Sequence, residues 1–385
     1  MPEAVVLAAA RTPLGRRGGV LAGVHAVDLA AHAMNAALQR SGIGPDAVDD
    51  VVLGCVSQVG EQSWNVARNA VLAAGWPETI PGTTVDRQCG SSQQAVAFAA
   101  AAVLAGHADV IVAGGVESMS RVPMGSSVGS GAGEPYGPRV RERYASSVDA
   151  EAALPFNQGV AAELVAGRYG VGREAMDAFA LASHEKAAAA SDGGAFAAEI
   201  APIAGVAADE GIRRDTSMER LAGLKPAFTA DGSVTAGSSS QISDGAAALV
   251  ITTDVHARRL GVRPLARIAA ACTVGSDPLL MLDGPIPATA RILRRTGLDL
   301  DEIDVFEVNE AFAAVPLAWL AETGADEERM NPRGGAIALG HPLGASGARL
   351  AATMLHYMLD TGAGRGLQVM CEGGGMANAT VFELL

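Results

Sequence analysis

The feature that most restricts this chain is that it repeats itself. The run Gly284-Pro285-Ile286-Pro287-Ala288-Thr289, continuing to Asp299, has the pattern of Ala26-Val27-Asp28 continuing to Gly44. Each copy is followed by a short strand-like stretch, Ile303-Asp304-Val305-Phe306 in one and Val48-Asp49-Asp50-Val51-Val52 in the other. Further on, Gly344-Ala345-Ser346-Gly347-Ala348 opens a helical pattern where the earlier copy has Gly90-Ser91-Ser92. Leu367-Gln368-Val369-Met370 running into Gly373-Gly374-Gly375 echoes Val110-Ile111-Val112-Ala113 running into Gly114-Gly115. Four elements recurring in one order are not an accident of composition, and they predict two related α/β halves facing each other.

Strands alternating with helices imply a largely parallel sheet covered on its faces. Residues 5–10 read as a buried strand, and residues 26–40 as a helix with apolar positions at Val27, Ala30, Ala31, Met34 and Leu38 that stops at Ser41-Gly42. Residues 51–53 and 110–113 read as further strands and 64–74 as a helix. From Glu117 to Ser243 the rhythm is lost, with helical patterns only at 159–169 and 173–190 and a polar stretch from Asp209. That region reads as an insertion covering one end of the sheets, where ligands of α/β proteins bind. Residues 245–252 then complete the first half. The expected division is therefore 1–117 plus 245–268 for the first half, 118–244 for the inserted loop domain and 269–385 for the second half.

With 385 residues, 49% hydrophobic and 18% charged, the chain has ample material for two or three cores. Twenty-eight basic against 42 acidic residues give a formal charge of −14, which argues against nucleic acid or an anionic membrane as partner. An anionic substrate would need a local basic pocket. The long apolar stretch 95–116 is interrupted by His107, Asp109 and Gly114-Gly115, so it reads as a buried helix and strand and not as a membrane span. Cys55, Cys89, Cys272 and Cys371 include no closely spaced pair, which points to a reducing cytoplasm without a disulfide framework or structural zinc.

Three places carry chemistry. Gln88-Cys89-Gly90-Ser91-Ser92 sets a thiol between a strand-like entry and an alanine-rich helix, where unpaired N–H groups and the helix dipole favour the thiolate. Gly340-His341-Pro342-Leu343-Gly344 places a histidine at the junction that the repeat relates to Cys89. Cys371-Glu372-Gly373-Gly374-Gly375 puts a second thiol at the end of a strand, next to backbone able to offer N–H donors, and Asn309-Glu310-Ala311-Phe312 follows another strand. Facing halves would bring Cys89, His341 and Cys371 to one end of the sheets. The remaining histidines, and Cys55 and Cys272, lack such contexts and read as structural.

The Cys-Gly-Ser, Asn-Glu-Ala-Phe, His-Pro-x-Gly and Cys-x-Gly-Gly-Gly motifs occur in the order found in the thiolase family, which the chain resembles from Arg11-Thr12-Pro13 to its last glycine-rich strand. The resemblance implies the thiolase fold, with two βαβαβαββ-type halves packed face to face around an inserted loop domain. It also implies the reversible reaction acyl-CoA plus acetyl-CoA giving 3-oxoacyl-CoA plus CoA, in which coenzyme A and its thioesters are substrates and no cofactor or metal is used. By motif, Cys89 matches the acyl-accepting nucleophile, His341 its base, and Cys371 the acid/base that exchanges a proton with the acetyl α-carbon. Asn309 matches the residue that, through a water and with His341, holds the enolate oxygen, while the N–H groups of Cys89 and Gly373 match the other oxyanion hole. Losing one such donor costs about 3–4 kcal/mol of transition-state stabilisation. Glu310 reads as structural, bonding backbone near Asn309. Ser240, in Thr235-Ala236-Gly237-Ser238-Ser239-Ser240, matches a serine touching the pantetheine arm, and Arg213 an arginine near the CoA nucleotide, with Arg214 as the alternative. The family also implies a homodimer or homotetramer.

The common biosynthetic pattern has glycine where this chain has Ser92, Gln241 and Ala377, and asparagine at Ser238 and Ser243; Phe156-Asn157-Gln158-Gly159 departs from a frequent His-Met-Gly. These changes are expected to cluster where an acyl chain would lie, and the motif detail looks more like degradative thiolases of actinobacterial lipid and sterol-side-chain breakdown. The expectation is thiolysis of a 3-oxoacyl-CoA larger than acetoacetyl-CoA. A short-chain acetyl-CoA acetyltransferase is the alternative, and a non-catalytic acyl-CoA- or lipid-binding relative a second one.

Overall fold

A computed structural model describes residues 2–128, 131, 133–145 and 156–385. Its strands are β1 (Ala4–Arg11), β2 (Gly15–Arg16), β3 (Asp50–Gly54), β4 (Thr83–Val85), β5 (Val110–Ser118), β6 (Ser243–Thr253), β7 (Ala266–Gly275), β8 (Val305–Val308), β9 (Arg365–Glu372) and β10 (Met376–Leu384). They follow the order β4-β3-β5-β6-β1-β7-β10-β9-β8, with β2 on β6. The repeat is visible in that order. In the first half β3 is parallel to β5, β5 antiparallel to β6 and β6 antiparallel to β1; in the second, β8 is parallel to β9, β9 antiparallel to β10 and β10 antiparallel to β7. The halves join edge to edge where Val5 and Val6 face Arg267 and Ala266.

The helices Ser91–Leu104 and Ser346–Thr361 lie against each other and against strands of both halves. Ala95, Val96 and Ala99 of the first and Ala348, Ala351 and Leu355 of the second share a core with Val6, Leu249 and Phe382 from the strands. Outside the first half, the helix Ala26–Ser41 buries Leu29, Met34 and Ala37 with Val112 and Val250. Outside the second, the helix Pro285–Thr296 buries Ala288 and Ile292 with Val369 and Val381. The product is a helix–sheet–helix–sheet–helix stack, and each fully buried aliphatic side chain contributes about 1.5–3 kcal/mol.

The central helices meet almost backbone to backbone. A Cβ added at Gly347 would overlap the backbone nitrogen of Gln93, and the Ala348 N–H donates to Ser92 Oγ at 2.9 Å. One at Gly344 would stand 2.6 Å from Val116 O and 2.7 Å from Cys55 Cα. Gly114-Gly115 therefore does not end its strand as the sequence rhythm implies. β5 continues to Ser118, because these glycines admit the Ala247 and Gly344 carbonyls. The helix expected at 64–74 begins only at Val66, since Trp64 and Asn65 take φ values of 58° and 59° and Asn65 Oδ1 caps the Arg68 N–H at 3.2 Å.

In the inserted region the helices Gln158–Arg168 and Arg173–Asp192 form where the pattern places them; residues 129, 130, 132 and 146–155 lie outside the described residues. The region is fastened to β1 by buried Arg11, which reaches both oxygens of Asp209 at 2.7 and 2.9 Å and Glu199 at 2.7 Å. If the central crossing is as tight as this, Gly347→Ala should destabilise the fold by about 2–3 kcal/mol in urea unfolding. Gly23→Ala, where an added Cβ meets nothing, should stay within about 1 kcal/mol of wild type; equal effects of the two would contradict the packing.

Candidate active site

Cys89 sits immediately ahead of the helix Ser91–Leu104, on a turn that needs Gln88 in the left-handed region at φ 49°. Ser91 holds that turn, accepting the Arg87 N–H at 2.9 Å and donating to Gln88 O at 2.6 Å. The thiol is buried in a small apolar cluster with Met119, Leu343, Leu350 and Met370. Here the structure corrects the sequence argument: the thiol is not made acidic. Burial, then the carboxylate of Glu372, push its pKa up to about 12, while the N–H groups of Cys89 and Gly373 hold back that rise. Desolvation outweighs the helix terminus. At rest the group is a thiol, and it would need a base to act as a nucleophile.

His341 is buried on the corresponding loop ahead of the helix Ser346–Thr361. Its Nδ1 lies 2.6 Å from Ser346 Oγ, and that hydroxyl donates to Pro342 O at 2.8 Å. With its only proton committed, Ser346 accepts, so Nδ1 carries the ring proton and Nε2 presents a lone pair. That Nε2 is buried without a partner. Burial, helped by Arg349, lowers the imidazole pKa to about 3, so the ring is neutral.

Asn309 follows β8, its N–H bonded to Val369 O at 3.1 Å, and among the described residues its buried amide meets no nitrogen or oxygen partner. The amide nevertheless lies beside Cys371 and opposes the rise in that thiol's pKa, which burial and then Cys89 drive upward. Cys89, Cys371, Asn309 and Gly373 are thus brought together. The His341 loop reaches the same place through Leu343, which shares the Cys89 cluster. The Glu310 carboxyl makes its hydrogen bonds away from the Asn309 amide. It accepts from Ser183 at 2.7 Å, Asn331 at 2.9 Å and the Ile337 N–H at 3.1 Å, fastening the segment that leads to His341.

Ser240 adjoins the site through backbone, its N–H donating to Ala311 O at 2.9 Å. Arg213 does not join the thiols: it is exposed, its N–H on His184 Nδ1 at 3.1 Å, and among the described residues its guanidinium forms no ion pair. Arg214 is paired with Asp192 at 2.6 Å. Most of the departures expected along an acyl chain belong to the frame instead. Ser92 joins the central helices, Ala377 is buried beside Gly284, and Ser238 closes its own loop on the Thr235 N–H at 3.0 Å. The Gln241 amide donates to Gly211, Ile337 and Ala338 carbonyls at 2.8–3.1 Å, while Ser243 Oγ accepts the His341 N–H at 3.2 Å. The segment at 156–159 does reach the site: Gln158 Nε2 is 3.1 Å from where a Gly373 Cβ would stand, and Phe156 lies between Tyr136 and Tyr144 at ring-centroid distances of 5.2 Å.

Glu117, closing β5, was missed by the sequence reading. Its buried carboxylate accepts the N–H groups of Val56, Ser57 and Gly344 at 2.9–3.0 Å and the Gln62 amide at 2.7 Å, tying the His341 loop to the first half. Its signal was present as an acidic residue directly after the uncharged run from Val110 to Val116. An open groove of about 790 Å³ along β7, lined by Arg267, Arg291, Arg295 and Arg365, contains none of the candidate site residues. Among the described residues no cluster of His, Cys, Asp and Glu could hold a metal ion, and all four cysteines are free.

The family described as "Thiolase, N-terminal domain" matches residues 4–254 and "Thiolase, C-terminal domain" matches 262–384. A steroid 3-ketoacyl-CoA thiolase of Mycobacterium tuberculosis is 48% identical, covering 100% of this chain and 95% of its own. A beta-ketoadipyl-CoA thiolase of Escherichia coli is 44% identical with 100% of both chains covered. The crystal structure of the Bacillus anthracis acetyl-CoA acetyltransferase superposes with a TM-score of 0.91 at 38% identity, covering 100% of this chain and 99% of that one. With both halves matched in sequence and the whole chain matched in fold, the protein belongs to the thiolase family.

Proposed function

We propose that the protein is a degradative thiolase, cleaving a 3-oxoacyl-CoA with CoA to give acetyl-CoA and an acyl-CoA shortened by two carbons. The observation that carries this is the meeting of two buried thiols with the Asn309 amide, while the loop of His341, whose Nε2 has no partner among the described residues, shares the Cys89 cluster through Leu343. His341 Nε2 takes the proton of Cys89, whose sulfur attacks the 3-oxo carbon; the resulting oxyanion is held by the N–H groups of Cys89 and Gly373. Breaking the C2–C3 bond leaves the acyl group on Cys89 and expels the enolate of acetyl-CoA. Asn309, through a water and with His341, holds the enolate oxygen, and Cys371 gives its proton to carbon. CoA then loses its thiol proton to the Cys371 thiolate and takes the acyl group from Cys89, whose departing thiolate recovers its proton from His341.

In this reading Arg213, free and exposed, meets the nucleotide phosphates, and Ser240 touches the pantetheine arm. The chain divides as 1–117 plus 245–268, 118–244 and 269–385, and works in the cytoplasm as a homodimer or homotetramer. Relatives named for 3-ketoacyl-CoA and steroid 3-ketoacyl-CoA cleavage support the degradative direction. The fold match to an acetyl-CoA acetyltransferase favours a second reading, short-chain acetoacetyl-CoA chemistry. No helix among the described residues is long and apolar enough to cross a membrane.

CoA-dependent loss of enolate absorbance across a series from acetoacetyl-CoA to long-chain and sterol-derived 3-oxoacyl thioesters separates the two: kcat/KM should rise with acyl size, and a sharp preference for acetoacetyl-CoA would select the second reading. Cys371→Ala should still acquire an acyl group on Cys89, seen by intact mass, yet fall at least ~100-fold in turnover; wild-type turnover would remove its assigned role. Because the His341 pKa is depressed to about 3, lowering the pH should leave its ring an acceptor well below the ~6.5 of free imidazole. The kcat/KM profile should therefore lack an acid limb near pH ~6.5 that His341→Asn abolishes.

A further inference from the structure

Glu372 closes β9 directly after Cys371 and is fully buried, yet among the described residues neither carboxyl oxygen meets a hydrogen-bond donor. Two other buried carboxylates near the site are well supplied: Glu117 accepts from three backbone N–H groups and an amide, and Glu310 from three donors. Glu372 is bare where they are clothed. Its carboxyl fills the space beside the nucleophile's turn, since a Cβ on Gly90 would stand 2.7 Å from Glu372 Cδ and 3.1 Å from Asn378 Nδ2. Asn378 donates that nitrogen to Gly90 O at 3.2 Å, and its Oδ1 has no donor. A protonated Glu372 is a donor among such acceptors, whereas an ionised one adds a further acceptor.

The groups facing it are Asp86, Arg87 and Cys89 from the loop ahead of the helix Ser91–Leu104, Cys371 from its own strand and Asn378 from β10. Burial dominates and pushes the carboxyl pKa up to about 8; Arg87 counteracts it without forming an ion pair, and Asp86 reinforces it. Negative charge on Glu372 raises both Cys89 and Cys371.

We propose that Glu372 is a positioning residue that governs both thiols through its own proton. As a neutral acid it permits negative charge on Cys89 and Cys371 in turn; once it has lost its proton to solvent it opposes charge on either. Its effect on turnover rests on the thiolase reading, but its effect on the free thiols does not.

The test is iodoacetamide alkylation of the full-length protein from about pH 6 to about pH 9.5, with Cys89 modification followed by peptide mass. Below about pH 7 a neutral carboxyl and an amide are alike, so E372Q and wild type should react at nearly equal rates. Above about pH 9 E372Q should react roughly tenfold faster, the ratio turning near the carboxyl's own pKa of about 8. A ratio independent of pH, as a purely structural role would give, overturns the proposal. Should E372Q not fold, wild type alone decides: a plot of log rate against pH must bend below unit slope near pH 8, and a straight line overturns the proposal. Thiolysis measured on the same samples separates the two readings. A pH-dependent ratio without thiolysis of any substrate sinks the thiolase reading and leaves this one standing, while thiolysis with a flat ratio does the reverse.

Discussion

The structure depends on a contact that leaves no room for a side chain. Where the central helices cross, Gly347 lies on the backbone of Gln93, and close by Gly344 lies against Val116 and Cys55. Wider residues would separate the halves by the thickness of a methyl group or more, and interiors packed near crystal density do not absorb such a change smoothly. Because the halves close this far, the loops that precede the two helices share one apolar cluster, and the thiol of one half and the imidazole loop of the other reach the same end of the sheets. Glu117 and Gln241 then fix those loops through backbone atoms, so the frame is built from groups that do not take part in the chemistry.

Burial sets the electrical character of that end. Both thiols are protonated at rest, the histidine is neutral and Glu372 stands on the margin of ionisation, all for the same reason: desolvation disfavours every charged form. Negative charge there is therefore disfavoured, and the backbone N–H groups of Cys89 and Gly373 and the Asn309 amide offset part of its cost on the thiols.

Much of this was legible in the sequence because glycine and cysteine leave sharp local signatures. The repeat is seen again in the strand order, and the junction motifs singled out Cys89, Asn309 and Cys371, which the fold brings together, and His341, whose loop reaches the same cluster. What was not legible depended on neighbours distant in sequence. The thiol's acidity follows from burial and Glu372, which no local pattern at residue 89 reveals. Gln241 and Ser243 looked like pocket residues, but they bond to the backbone approaching His341. Gly114-Gly115 looked like a strand end for the same reason that Gly373-Gly374-Gly375 is one, and only the close approach of Gly344 distinguishes a glycine that admits a neighbouring chain from one that turns.

The duplication carries a consequence for how such a site could arise. The two central junctions are equivalent in topology but now carry different residues, a thiol in one and an imidazole in the other. Two identical copies joined face to face would present the same residue twice, either two nucleophiles without an acceptor for their protons or two acceptors without a nucleophile. A division of labour between thiol and base is open only to copies that have diverged, so the asymmetry of the halves is as old as the chemistry proposed for them, and the symmetry of their backbones is older.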